Sequence, residues 1–155
     1  MSSQDWAYFS NYAIYSAMVL FTLAFFGHTF ETAWAVRTPV AASETEGNLV
    51  NKTFDSSRTQ KAMRIATAMM ILGFVFLLVG VVTRGLSASR VPWGNMYEFS
   101  ITGALAFTGA YLAALRKYDL RWLGVLVSIS ALLTLGTAIT LLYVPSAPLV
   151  PALKS

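Results

Sequence analysis

Ala62-Met-Arg-Ile-Ala-Thr-Ala-Met-Met-Ile-Leu-Gly-Phe-Val-Phe-Leu-Leu-Val-Gly-Val-Val82 is a run of 21 residues with a single charge, Arg64, near its start. About 20 apolar residues at 1.5 Å each cross the roughly 30 Å hydrocarbon core of a bilayer, so the run has the length of a membrane span. It is apolar around the whole helical circumference and not along one stripe, which separates it from an amphipathic surface helix. Three similar stretches lie at about Tyr12–Val36, Tyr97–Leu115 and Trp122–Tyr143. The expected fold is all-α and integral to a membrane, with about four transmembrane helices, because a backbone in lipid must satisfy its hydrogen bonds internally.

Composition agrees. Of 155 residues, 56% are hydrophobic and 12% charged, and the mean hydropathy is +0.60, above the needs of an ordinary soluble core. Four spans with short connections leave no room for a soluble enzyme domain. The net charge of +4 comes from Lys and Arg in the connections, without a patch interleaved with aromatic residues, so nucleic acid is not an expected partner. The absence of cysteine removes disulfides, thiolate metal sites, covalent haem attachment and thiol nucleophiles from this chain. Met1–Ser10 has Asp5 and no Lys or Arg, unlike the positive start of a secretory signal, so the first span is expected to be retained.

Orientation follows from the cations. Arg37, Lys52, Arg58, Lys61 and Arg64 in the first connection and Arg116, Lys117 and Arg121 in the third give eight on one side, against Arg84, Arg90 and Lys154 on the other. Positive charge marks the cytoplasm, so the expected arrangement is N-out and C-out. Tyr8, Phe9, Trp93, Tyr97, Trp122 and Tyr143 fall near span ends, at headgroup level. The polar stretch 38–60 reads as a cytoplasmic linker without hydrophobic period. Pro145, Pro148 and Pro151 oppose a continuing helix after the fourth span. No internal repeat is evident, although a long-loop hairpin followed by a short-loop hairpin leaves a weak inverted repeat open.

Two patterns speak to helix packing. Thr102, Ala106, Ala110 and Ala114 place small side chains every four residues on the third span, and Gly73 and Gly80 stand seven apart on the second. Both are expected to be faces where another helix approaches closely.

The segment richest in chemistry runs Arg84-Gly-Leu-Ser-Ala-Ser-Arg90-Val-Pro92-Trp93-Gly94-Asn95-Met96-Tyr97-Glu98-Phe99, a basic loop entering a helix. Asn95 and Glu98 have the spacing of a capping box, in which Asn95 accepts a helix-start amide and Glu98 reaches back. Pro92, Asn95 and Glu98 are then structural. The same loop also reads as a ligand surface, with Arg84 and Arg90 for carboxylates or propionates and Trp93 and Tyr97 for a flat apolar face. An amphipathic ligand such as haem suits that second reading.

His28, the sole histidine, lies on the first span with Glu31 three residues on and on the same helical face. Either the helix is leaving the bilayer here, with Glu31, Trp34 and Arg37 at the interface and His28 just within it, or His28 is one axial haem ligand, a proton relay with Glu31 or part of a quinone pocket. One histidine cannot supply both axial ligands of a haem. No nucleophile elbow, phosphate loop or H-E-x-x-H motif occurs, so catalysis by this chain alone is not expected.

Val81-Val-Thr-Arg-Gly-Leu86 and Arg90-Val-Pro-Trp-Gly-Asn-Met-Tyr-Glu-Phe99, continued by Arg121-Trp-Leu-Gly124 and Tyr143-Val-Pro-Ser-Ala-Pro-Leu-Val-Pro-Ala-Leu-Lys-Ser155, resemble the system II cytochrome c biogenesis proteins of the CcsA/ResC family. The actinobacterial branch, named CcsB, is the most similar. The resemblance covers most of the chain after about residue 62. It implies a multi-pass protein of a bacterial cytoplasmic membrane that works with a ResB-type membrane partner to carry haem across and present it to apocytochrome c. Family members are about twice as long, and nothing in this sequence matches their tryptophan-rich WWD segment. The resemblance therefore implies an N-terminal half that acts with a WWD-bearing C-terminal half, in a haem lyase system, with haem as cofactor and Arg84, Arg90, Trp93 and Tyr97 as candidate haem-surface residues. A reading from a different class is a structural or accessory transmembrane subunit of a respiratory complex, which needs no ligand.

Overall fold

The computed structural model describes residues 2–36, 47–118 and 120–143. They form four α-helices: α1 (Ser3–Val36), α2 (Gly47–Ala88), α3 (Met96–Ala114) and α4 (Gly124–Leu141), with a 3₁₀ turn at Arg121–Leu123 leading into α4. No strand occurs among the described residues. The segments Gln4–Ala33, Gln60–Ala88 and Arg121–Leu141 are long and apolar enough to cross a membrane. The third expected span is a helix at the expected place, but Tyr97, Glu98, Ser100 and Thr102 dilute its apolar character, so three helices and not four meet that standard.

The expected linker at 38–60 requires correction. α2 begins at Gly47 and runs for 42 residues, about 63 Å. Between Gly47 and the apolar run there is no proline and no further glycine, so a polar sequence that makes no hydrophobic stripe can still extend a helix already nucleated by the packed part. Residues 37–46 and the proline-rich tail at 144–155 lie outside the described residues.

The helices run up and down in turn. α1 packs chiefly on α2 and also on α4, while α3 packs on α4 and α2, so α1 and α3 stand diagonally across a four-helix bundle. At one end Asn11 of α1 donates to the Tyr143 hydroxyl at 2.9 Å and Ser10 Oγ to the Gly80 carbonyl at 2.6 Å. The buried positions recur at alternating steps of four and three: Ser10, Ile14, Ala17, Phe21, Ala24 and His28 on α1, and Met70, Gly73, Leu77, Gly80, Arg84 and Ser87 on α2. α3 repeats the pattern with Tyr97, Ile101, Ala104, Thr108 and Tyr111, and α4 with Gly124, Ser128, Ala131, Leu135 and Ala138. A 3.5-residue repeat is the signature of left-handed coiled-coil packing.

Small residues set how closely α1 and α2 approach. A Cβ added at Gly27 would lie 2.7 Å from Ala66 Cβ, and one at Gly80 would lie 2.7 Å from Ile14 Cγ1. The expected Gly73 and Gly80 face is therefore a true contact face. The expected α3 seam is not: Ala106 and Ala110 point outward, Thr102 and Ala114 are half-buried, and the helix turns Ile101, Ala104 and Thr108 to the core. A strict four-residue spacing drifts off a 3.5-residue seam within two turns, which is why that stripe leaves the core. Hydroxyls on outward faces are satisfied locally, as with Thr134 to the Ser130 carbonyl at 2.9 Å and Thr140 to the Gly136 carbonyl at 2.7 Å.

Candidate functional site

All four helices converge on one polar cluster, and the chain's turn from α2 into α3 builds it. α2 closes with a Schellman arrangement in which Ser89 N–H donates to the Leu86 carbonyl and Arg90 N–H to the Gly85 carbonyl, each at 3.2 Å. Ser89 takes φ 52° at the left-handed position, a conformation that costs a residue with a side chain about 1 kcal/mol. The reversal carries Arg90 back over the start of α3. A tight turn follows, with Trp93 N–H donating to the Val91 carbonyl at 2.8 Å. Pro92 sits against Gly85, and its carbonyl accepts from Thr102 Oγ1 at 3.3 Å.

Asn95 caps α3 as its spacing predicts: its Oδ1 accepts from Glu98 N–H at 2.8 Å, with Asn95 itself extended at φ −146°. The reciprocal bond falls one residue earlier than a capping box requires, since Glu98 Oε2 accepts from Gly94 N–H at 2.9 Å. Two arginines hold the carboxylate there. Arg90 reaches it through Nη1 at 2.8 Å and Nη2 at 3.4 Å, and Arg84 Nε lies 3.7 Å from Oε1. A Cβ on residue 94 would overlap the Arg90 guanidinium, so glycine is required for the side chain to lie across this turn.

Arg84 and Tyr97 depart from expectation. Both are expected as ligand surface, yet Arg84 is 0% and Tyr97 1% exposed. The Arg84 guanidinium lies 4.9 Å from the Tyr97 ring centroid and 5.8 Å from that of Tyr143, and the two rings meet edge to face at 5.3 Å. A cation this long can be buried only against a carboxylate and aromatic faces, and the bundle supplies all three, so these residues close the end of the bundle. Glu98, also fully buried, is held by two guanidinium groups and an amide, which leaves it no role as a free base.

What remains at the surface is Arg90, partly exposed, and an apolar platform of Val91, Trp93, Met96 and Phe99, with Trp93 67% exposed. Two guanidinium groups against one carboxylate, together with the positive end of α3, give this surface a net positive charge. Tyr8, Phe9, Trp122 and Tyr143 are exposed near the helix ends, as a headgroup belt requires, whereas Tyr97 is not.

His28 and Glu31 lie at the opposite end. His28 is buried and faces the bundle interior, with Glu31 16% exposed three residues nearer the helix end. Its Nδ1 lies 3.5 Å from Glu31 Oε2. The ring rests on Gly124 at the start of α4, where an added Cβ would lie 2.8 Å from Nδ1 and Cε1. Tyr111 and Asn11 thus join the polar sites although the sequence reading names neither, and Gly124 and Tyr143 gain a packing role beyond the one read for them; place on the alternating four and three register is the signal for Tyr111 and Gly124. No group of three or more His, Cys, Asp or Glu residues suited to a metal ion occurs among the described residues. No protein-family model, curated protein or solved structure matches this chain.

Proposed function

We propose that the chain is a multi-pass protein of a bacterial cytoplasmic membrane that contributes to haem delivery in cytochrome c biogenesis, with the Arg90–Trp93 end outside. One observation carries the reading: an exposed apolar and aromatic platform, Val91, Trp93, Met96 and Phe99, borders a guanidinium in a cluster with excess positive charge. Haem is a flat apolar macrocycle with anionic propionates, and this surface offers a partner for each part. The sequence resemblance at Arg90–Phe99 supports the same assignment, with a ResB-type protein, a WWD-bearing segment and apocytochrome c as partners. In this reading the chain supplies docking and orientation, and the iron ligands come from elsewhere, because this chain has one histidine and it lies at the opposite end.

The test is haem content by pyridine haemochrome on the purified chain, alone and co-purified with a partner that carries the tryptophan-rich segment. Haem is expected in the co-purified complex, reduced at least threefold by Trp93→Ala and unchanged by Trp122→Ala at the other end. Equal haem in both variants, or none in a complex that demonstrably forms, overturns the reading. The second reading, an accessory subunit of a membrane complex, is favoured by the outward small-residue face of α3, where Gly103 and Ala106 leave room for a helix of another protein. It predicts haem content indifferent to Trp93.

A further inference from the structure

Four polar atoms at the His28 end of the bundle are sealed from solvent and have no hydrogen-bond partner among the described residues: His28 Nδ1 and Nε2, Glu31 Oε2 and Tyr111 Oη. An unsatisfied buried polar group costs about 1–3 kcal/mol, so four at one end of one bundle call for something that satisfies them. They come from α1 and α3, which stand diagonally across the bundle, so they face its interior and not the bilayer. Tyr111 lies within electrostatic reach of both Glu31 and Arg121. At 3.5 Å, His28 Nδ1 and Glu31 Oε2 form an ion-pair contact and not a hydrogen bond. Gly124 supplies the space for the imidazole, since any side chain there would strike the ring.

The chemistry of the four atoms selects the occupant. A neutral imidazole offers one donor and one acceptor, a phenol offers both, and a carboxylate only accepts. A molecule that both donates and accepts in several directions can satisfy the whole set, and buried water does this at about three hydrogen bonds each. We propose that the inner end of the bundle holds a buried proton-binding site in which water joins His28, Glu31 and Tyr111. The Glu31 side chain is 16% exposed, with Oε2 turned inward, and it stands one turn closer to the helix end than the buried His28, so it is the port to the inner aqueous side. A proton taken up on Glu31 passes through water to His28: an O–H bond breaks, an N–H bond forms, and an imidazolium faces a carboxylate. From the other elements the site is faced by Tyr111 on α3 and Arg121 at the 3₁₀ turn before α4, while α2 contributes the apolar Ala66 nearby, against Gly27. The assignment does not depend on the haem reading, which concerns the opposite end.

Because His28 is the sole histidine, ¹⁵N-histidine labelling of the full chain in lipid gives one imidazole to follow. The expected result is proton transfer from water to the ring nitrogens, and ring signals that change with pH between about pH 5 and pH 8. Glu31→Gln and Tyr111→Phe, both close in shape to the native side chains, are each expected to slow the transfer at least tenfold while helix content is retained. A ring with pH-independent signals and no transfer from water overturns the proposal, as does transfer unaffected by either variant. Signals that shift when a short-chain quinone is added, with loss of water transfer only then, overturn it in favour of a quinone headgroup site.

Discussion

Glu98 shows how one side chain can be read correctly in kind and incompletely in weight. Its spacing from Asn95 makes the cap legible, and the cap forms. Its hold on Arg84 and Arg90 is not legible, because it depends on α2 folding back against α3, a contact that no local pattern states. The two residues therefore differ in consequence. Asn95→Ala removes one capping bond and is expected to cost about 1 kcal/mol. Glu98→Gln keeps the shape but leaves two guanidinium groups without a carboxylate in a buried site, at about 3–5 kcal/mol. Thermal unfolding of the two variants in the same detergent checks this, and equal losses would show that the arginines are not held by the carboxylate. Arg84 itself is legible as a cation near a span end and as a candidate ligand-surface residue, not as a buried one. Its burial follows from register, since it continues the line of Met70 and Leu77 at seven-residue steps.

At the scale of the element, hydropathy and packing carry different information. The helices face outward with residues as apolar as those inside, so mean hydropathy locates the spans but does not say which face is buried. Size does. The seam is marked by glycine, alanine, serine and threonine at steps of three and four, as at Gly73 and Gly80, and a stripe of small residues off that register, as at Ala106 and Ala110, points away. Gly80→Leu is expected to force α1 from α2 and lower stability by about 1–3 kcal/mol, through collision with Ile14 and the Ser10 backbone. Ala106→Leu, on the outward face, is expected to change it by less than about 0.5 kcal/mol. Comparison of the two unfolding midpoints checks the register, and a reversal would put the seam on the other face. The length of α2 was also outside the reach of pattern, since its polar first turns, Gly47 to Gln60, carry no hydrophobic period.

For the whole molecule, the two ends of the bundle carry different chemistry. One end is closed by a buried cation between a carboxylate and two tyrosines, under an exposed aromatic platform. The other gathers a buried histidine, a tyrosine and a carboxylate, with Arg121 at the turn before α4. The sequence separates these ends because positive residues are unevenly shared between them, eight against three. The central claim is that the bundle crosses the membrane with the Arg90–Trp93 end outward and the His28 end inward. A chain without cysteine allows it to be tested without background. Ser89→Cys and Lys117→Cys place single thiols at exposed positions at the two ends. A membrane-impermeant maleimide added to intact spheroplasts should label the Ser89→Cys chain and leave Lys117→Cys unlabelled until the membrane is opened. Labelling of Lys117→Cys in intact spheroplasts, with Ser89→Cys protected, would contradict the account.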